Sequence, residues 1–436
     1  VYKTKDRGMA LQSQGWRTYL SPLGEVSLPL FQKISALPAH EMQTLNQKTG
    51  RDANELKDYF TRRYSVDLSD AAAVEILREM YADSNVEFAY FEPRFEDAVW
   101  QKPSGVAPVI SSQAGGLENF ESRQFHLNPA PEGVDARYGW TIPGGTGQGI
   151  RIIDVETGWF THHLEFGAAF YDNGKNGQRD HGTAVWGAVA AKNDGRGIVG
   201  IAYDVAWGIA GNGADAGLDN YATAIAAVIE NAVLNLEAGD MLIIEQHAQL
   251  VDGYGPIEYF EPVFKILQLA TAKGIHCVAA GGNGGENLDH PKFQGAFDIS
   301  KRDSGCMLVG AAEPPTGSQA RERSYFSSYG ARIDAYGYGN GVVTSGYGDM
   351  FSGEIDGKLA SYTADFSGTS SATPIVAGAV ASVLGMAKAK GVVITPAQMR
   401  EALRATGTPQ GGAATERIGN LPDLRQLVTR FFGPQL

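Results

Sequence analysis

Three short segments carry residue types that could together open a peptide or ester bond. Ile152-Ile-Asp154-Val-Glu-Thr-Gly158 closes an apolar run on a carboxylate. Asp180-His181-Gly-Thr183 opens a run of small and apolar residues with a potential base. Phe366-Ser-Gly-Thr-Ser370-Ser-Ala-Thr-Pro374 places hydroxyls before the small-residue stretch Ile375–Ala381. Taken singly, each has a structural explanation: a turn aspartate, a structural histidine, and a helix cap with proline in its first turn. Taken together they satisfy a chemical requirement. A hydroxyl is a poor nucleophile near neutral pH and needs a base within hydrogen-bond reach, and the base needs an orienting acid. The order Asp154, His181, Ser370 supplies acid, base and nucleophile. A fourth segment, Val278-Ala-Ala-Gly-Gly-Asn283-Gly-Gly285, ends a strand-like run on an amide that could donate to a developing oxyanion.

The elements needed to hold these groups are visible in the hydrophobic pattern. Short β-branched or apolar runs at 150–155, 205–207, 241–244, 276–280 and 306–309 alternate with helix-like stretches at 218–238, 258–273 and 370–390. That rhythm predicts an α/β domain with a doubly wound, mostly parallel sheet, whose active residues lie at the carboxyl ends of strands. Residues 1–97 are richer in charge and poorer in glycine, with helical spacing at 39–59 and 69–82 and a strand at 86–91. They read as a separate small α+β domain. Residues 98–124 read as an exposed linker, their first part rich in Pro, Gly and Ser and almost uncharged, followed by the main domain at 125–436.

The His-Gly-Thr, Ala-Ala-Gly-Gly-Asn-Gly-Gly and Ser-Gly-Thr-Ser-Ser-Ala-Thr-Pro motifs, in this order, resemble those of the subtilases, the subtilisin-like serine peptidases, over about residues 125–410. The resemblance implies a subtilisin-like fold with a seven-stranded parallel sheet. It also implies Asp154 as orienting acid, His181 as general base, Ser370 as nucleophile and Asn283 as oxyanion donor. Residues 1–97 have the size and character of the family's inhibitory, folding-assisting propeptides. Such propeptides often end in a strand like 85–93, with a tail lying in the active-site cleft. Two departures stand out. The family has Asp, then Ser or Thr, then Gly, whereas Val155, Glu156 and Thr157 separate Asp154 from Gly158. Glu156 therefore reads as structural or cleft-lining, with tuning of a neighbouring pKa as the sharper alternative. The family's substrate strand commonly reads Ser-Leu-Gly-Gly, and the matching stretch here is Glu245-Gln246-His247-Ala248. Either Glu245 and His247 face solvent, or Glu245, Gln246 and His247 shape the first specificity pocket with Ala280, Gly281 and Gly282. A carboxylate in that pocket would favour a basic or polar residue before the cut; with Glu245 turned away, a small or apolar one. The sedolisins share Ser-Gly-Thr-Ser but lack the His-Gly-Thr histidine and carry Asp where Asn283 stands, so the chain does not fit them.

Composition narrows the function classes. The 36 Lys and Arg against 49 Asp and Glu give a net charge of −13, and no basic run is interleaved with aromatics, which disfavours nucleic acid. No uninterrupted apolar stretch reaches the roughly 18 residues of a bilayer span. Two cysteines, Cys277 and Cys306, are too few for a disulfide scaffold and are expected on neighbouring strands as free buried thiols. His162-His163 has no third ligand at metal-binding spacing, so no metal site is assigned. No cofactor is required; the loop 193–200 resembles a calcium loop of some subtilases but carries a single carboxylate. The chain opens Val1-Tyr-Lys-Thr-Lys, which leaves open whether a targeting segment preceded it. The expectation is a monomeric serine endopeptidase made as a zymogen, acting on protein or peptide substrates and held by its own N-terminal domain. Secretion is expected, with a cytoplasmic zymogen as the alternative. A non-catalytic binding module and a peptide ligase or cyclase on the same acyl-enzyme are the rivals.

Overall fold

A computed structural model of the chain describes residues 2–4, 18–21, 24–27, 86–89, 95–98, 117–177, 179–212, 222–352 and 359–434. In the N-terminal part, strand β1 (Tyr2–Thr4) pairs antiparallel with β4 (Val86–Ala89), and β2 (Thr18–Ser21) with β3 (Gly24–Ser27). The expected strand at 86–91 thus coincides with β4, while the expected helices at 39–59 and 69–82 lie outside the described residues. Strand β5 (Phe95–Asp97) joins neither pair and is taken up by the main domain.

That domain is built on a nine-stranded sheet. Its strands are β6 (Arg151–Glu156), β7 (Tyr171–Asp172), β8 (Ala206–Gly211), β9 (Met241–Ile244), β12 (His276–Ala280), β13 (Met307–Ala312), β14 (Ala335–Tyr338), β18 (Thr408–Pro409) and β19 (Asn420–Leu421). The spatial order β7-β8-β6-β9-β12-β13-β14 is parallel throughout, which supplies the expected seven. Two short strands extend the edge: β19, parallel to β14, and β18, antiparallel to β19. Continuous burial of Ile152, Ile153 and Val155, of Met241–Ile244 and of Cys277–Ala280 is what a sheet covered on both faces requires.

Two helix pairs pack on the sheet. One is α2 (Asp180–Ala190) with α5 (Thr369–Ala389); the other is α3 (Ala222–Leu234) with α4 (Glu261–Ala272). The helix α1 (Ala136–Trp140), and α6 (Pro396–Ala405) and α7 (Leu424–Phe432) near the chain end, complete the helical set used here. Helix α5 is long and apolar enough by composition to cross a membrane, yet that stretch is wholly buried in the core. It starts one residue earlier than expected, so Pro374 falls in its second turn and cannot donate to the Ser370 carbonyl. Gly368 before it has φ 100°, a conformation that excludes an ordinary side chain. Beside the sheet, β10 (Gln246–Gln249) pairs antiparallel with β11 (Tyr254–Pro256) on one side and β5 on the other. A three-stranded sheet of β15 (Val342–Ser345), β16 (Phe351–Ser352) and β17 (Ser361–Phe366) packs on α2 through β15. Cys277 and Cys306 are buried free thiols.

Candidate active site

The strand ends and helix starts converge at one place. Strand β6 ends in Glu156, β9 runs into Glu245, β12 leads to Asn283, and α2 and α5 open on His181 and Ser370. Successive residues of a strand alternate faces, so Asp154 and Glu156 project to the same side of β6. The structure then separates two residues that the sequence had confused. His181 Nδ1 lies 2.5 Å from Glu156 Oε2, whereas Asp154 Oδ2 accepts from the indole Nε1 of Trp159 at 2.9 Å. The expectation that Asp154 orients the histidine is therefore corrected: Glu156 makes that contact, and the Glu156-Thr157-Gly158 triplet takes the position of the family's Asp-Ser/Thr-Gly. Asp154 is one layer behind. Gly182 permits this arrangement, because a Cβ there would fall 2.4 Å from the Trp159 ring.

The acids at this site are short of donors. Asp154 Oδ1 and Glu156 Oε1 are buried and receive no N–H or hydroxyl from elsewhere. The two carboxyl groups are close neighbours on β6, and a charge on Asp154 disfavours ionisation of Glu156. Burial raises the Asp154 pKa to about 7, and burial with the neighbouring Asp154 and Asp97 charges pushes Glu156 well above its ordinary range. Burial does the same to Glu245, with the Asp154 charge adding to it and the nearby Ser370 hydroxyl offsetting part of the rise. His181 moves the other way, lowered by burial and partly restored by Asp97, so it is held as a neutral base. His181 Nε2 and Ser370 Oγ are both buried and neither makes a hydrogen bond, so the base and the nucleophile are not yet in hydrogen-bond contact.

On the opposite side stands a fully partnered amide. Asn283 Oδ1 accepts from Thr369 N and Thr369 Oγ1, each at 2.9 Å, which fixes its Nδ2 toward the cleft. That Nδ2 donates to the Ala98 carbonyl at 2.6 Å, and Ser370 N donates to the same oxygen at 3.2 Å. The Ala98 amide donates to Glu245 O at 2.9 Å. Strand β5 continues the pairing along β10, with Asp97 opposite Gln246, Glu96 opposite His247 and Phe95 opposite Ala248. Phe95 is fully buried against Phe260, its ring 5.5 Å away. Residues 95–98 thus lie in the cleft as an extended peptide whose last described carbonyl sits between two donors at the start of α5.

Of the six residues considered for a specificity pocket, Glu245 offers its backbone oxygen, and Gln246 and His247 pair with the bound strand. The residue seated at the nucleophile is Ala98. His247 stacks on Tyr254 at 4.3 Å and takes the Asn283 amide on Nδ1 at 3.3 Å; burial lowers its pKa to about 3. Ala280 is buried, and Gly281 and Gly282 are the close-packed turn before Asn283: a Cβ on Gly282, at φ +91°, would lie 2.4 Å from Gly255. His163 is a core residue bound to the Ser361 carbonyl at 2.9 Å. In the loop 193–200 the one carboxylate, Asp194, is already held by Arg196 at 3.0 Å. The sequence analysis missed Thr369, Thr157 and Trp159; Thr369 carried a signal in its place one residue before the serine, and Thr157 in its place between Glu156 and Gly158.

The match to known proteins fits this geometry. The model of the subtilase family matches residues 95–420. The chain belongs to the subtilase family. Alkaline elastase YaB of Bacillus sp. (strain YaB) is 30% identical over 282 residues, covering 62% of each chain. This chain therefore spans somewhat under two thirds of that relative's length. Subtilisin Savinase of Lederbergia lenta is 29% identical over 276 residues, covering 61% of this chain and 86% of its own. Among solved structures, that of the prenylagaramide maturation protease PagA superposes with a TM-score of 0.53 at 22% identity, covering 69% of this subtilase and 99% of PagA. That of the patellamide maturation protease PatA superposes at 0.51 and 21% identity, covering 66% and 98%. At such identities these two establish the fold.

Proposed function

We propose that this subtilase is a serine endopeptidase made as a zymogen, with Ser370 as nucleophile, His181 as base and Glu156 as the acid that orients it. The observation that carries the reading is the Ala98 carbonyl, received by Asn283 Nδ2 and Ser370 N at the head of α5. Those donors are aimed where charge develops when a hydroxyl adds to a carbonyl. Ser370 Oγ attacks the Ala98 carbonyl carbon while its proton passes to His181 Nε2. Glu156 holds Nδ1–H and stabilises the imidazolium. The tetrahedral oxyanion takes both donors. Collapse breaks the bond to the Val99 nitrogen, which leaves with the proton from His181, and water then releases the acyl group.

Residues 1–98 act in this account as an inhibitor in the same chain, and their terminal strand adds to the edge of β10 as a substrate would. The enzyme works as a monomer on protein or peptide substrates, outside the cytoplasm, and needs no cofactor. A structural calcium at 193–200 is the weaker part of the proposal, given the Asp194–Arg196 pair. Fluorophosphonate labelling tests the chemistry: the full chain is expected to label and Ser370→Ala is not. Equal labelling of both, or no labelling of a chain that mass spectrometry shows to be cut and freed of residues 1–98, would remove the serine mechanism. The masses of products from an added peptide separate a hydrolase from a ligase, the former giving only shorter peptides.

A further inference from the structure

The backbone pairing of β5 with β10 would serve any extended peptide, so selectivity has to come from side-chain contacts. Among the described residues of the bound strand, Phe95 is held by apolar burial against Phe260 and Asp97 by hydrogen bonds. Asp97, the second residue before the Ala98 carbonyl, has both carboxyl oxygens engaged: Gln246 Nε2 donates to Oδ1 and Thr157 Oγ1 donates to Oδ2. Gln246 is fully buried and Thr157 nearly so. The Gln246 amide is set in its orientation by Asn212, whose Nδ2 donates to Gln246 Oε1 at 3.3 Å, leaving the Gln246 NH2 group facing the bound strand. The pocket therefore offers donors to both oxygens of a carboxylate. A primary amide could keep its oxygen on Gln246 Nε2 and turn its NH2 to the Thr157 hydroxyl, which also accepts, but it would forfeit the charge on both contacts; an alkyl side chain would strand the Gln246 donor.

Resting on the peptidase reading above, we propose that Gln246 and Thr157 form a carboxylate-recognising subsite, so that the substrates of this site are peptides with aspartate second before the cut and alanine at the cut. Like charge nearby works against such a residue, and the surroundings supply what offsets it. Burial raises the pKa values of Asp154 and Glu156, and repulsion by Asp154 adds to the rise at Glu156, which favours their neutral forms and lowers the negative charge that an incoming carboxylate meets. His181 Nδ1 lies 3.9 Å from Asp97 Oδ2, so the imidazolium formed during turnover gains a second carboxylate neighbour from the substrate. The preference is accordingly expected in kcat as well as in KM, since part of the contact strengthens only when His181 is charged.

The test supplies the full chain with the decapeptide of its own residues 93–102, Pro-Arg-Phe-Glu-Asp-Ala-Val-Trp-Gln-Lys, and with versions carrying Asn, Ala or Lys at the aspartate. The aspartate peptide is expected to exceed the Asn and Ala peptides in kcat/KM by about ten- to a hundred-fold, the span for a hydrogen-bonded charge. In Gln246→Leu, and separately in Thr157→Val, that ratio should shrink by about three-fold or more. Equal cleavage of the Asp, Asn and Ala peptides overturns the subsite, as does a ratio that survives in both variants. Fluorophosphonate labelling of Ser370 without cleavage of any of these peptides overturns the substrate class alone. Absence of both labelling and cleavage in a chain cut and freed of residues 1–98 removes the peptidase reading itself, and this inference with it.

Discussion

Two clusters of buried acids lie in this molecule, and they are neutralised in opposite ways. Behind β13 and β14, Glu258 and Asp334 are matched by cations: Arg332 binds Glu258 at 2.6 and 2.8 Å and Asp334 at 2.7 Å, and Arg404 reaches Asp334 at 2.6 Å. Ser304 Oγ adds a donor to Glu258 at 2.5 Å. At the end of β6, Asp154, Glu156 and Glu245 are just as buried, yet among the described residues the group that could carry a positive charge against Glu156 is His181, itself held neutral by burial. Instead of being matched by guanidinium groups, these acids have their pKa values pushed upward, toward their neutral forms. The first cluster is a finished structural network. The second keeps pKa values displaced and oxygens unpartnered, as a site does when its charges must change during the reaction.

This contrast can be broken experimentally. The largest effect should come from Glu156→Gln, which swaps the acceptor on His181 Nδ1 for an amide and favours the wrong tautomer. Turnover should fall by about 10⁴ with the fold intact by circular dichroism. Arg332→Met should do the reverse, leaving the active site unaltered while lowering unfolding free energy by about 3–5 kcal/mol in denaturant titration, because Glu258 and Asp334 lose their main partner. Asn283→Ala should lower kcat by about 10² to 10³ with KM little changed.

Asp154→Asn should do least. An asparagine can accept from Trp159 Nε1 through its oxygen and donate to Glu156 through its NH2, which reproduces the protonated aspartate. Turnover should stay within a few-fold of the parent enzyme. Its stability should shift with pH in a defined direction. A carboxyl raised from 3.8 to about 7 contributes stability that is complete below pH 3.8 and is lost as pH rises through about 7. The parent Tm should therefore fall between about pH 4 and 7, and the variant's should fall less, as read by thermal scans at fixed ionic strength.

The same contrast explains what could be read without coordinates. Asn283 and Ser370 were legible because each sits in a run of small residues demanded by close backbone approach, and those runs mark the motif. The strands β9 and β12 were legible to the residue, and β6, β8 and β13 in part, because apolar burial writes itself into the sequence. The acid was not legible. Asp154 and Glu156 share one face of β6, both are carboxylic acids, and only the reach of the longer side chain and the Trp159 contact decide which meets His181. Strand β14, Ala-Tyr-Gly-Tyr, was missed because a central glycine interrupts its apolar run; it tolerates the residue because α5 packs there, a Cβ on Gly337 falling 2.3 Å from the Ala372 carbonyl. The placement of 95–98 in the cleft was foreseen only as a tail somewhere after residue 93, since register in an antiparallel pairing depends on the partner strand.

The register of that segment is the central claim, and intact-mass spectrometry of the full chain over time tests it most directly. The account predicts one primary cut, giving fragments 1–98 and 99–436, and no cut in Ser370→Ala. A primary cut at any other bond, or the same cut in Ser370→Ala, would contradict it.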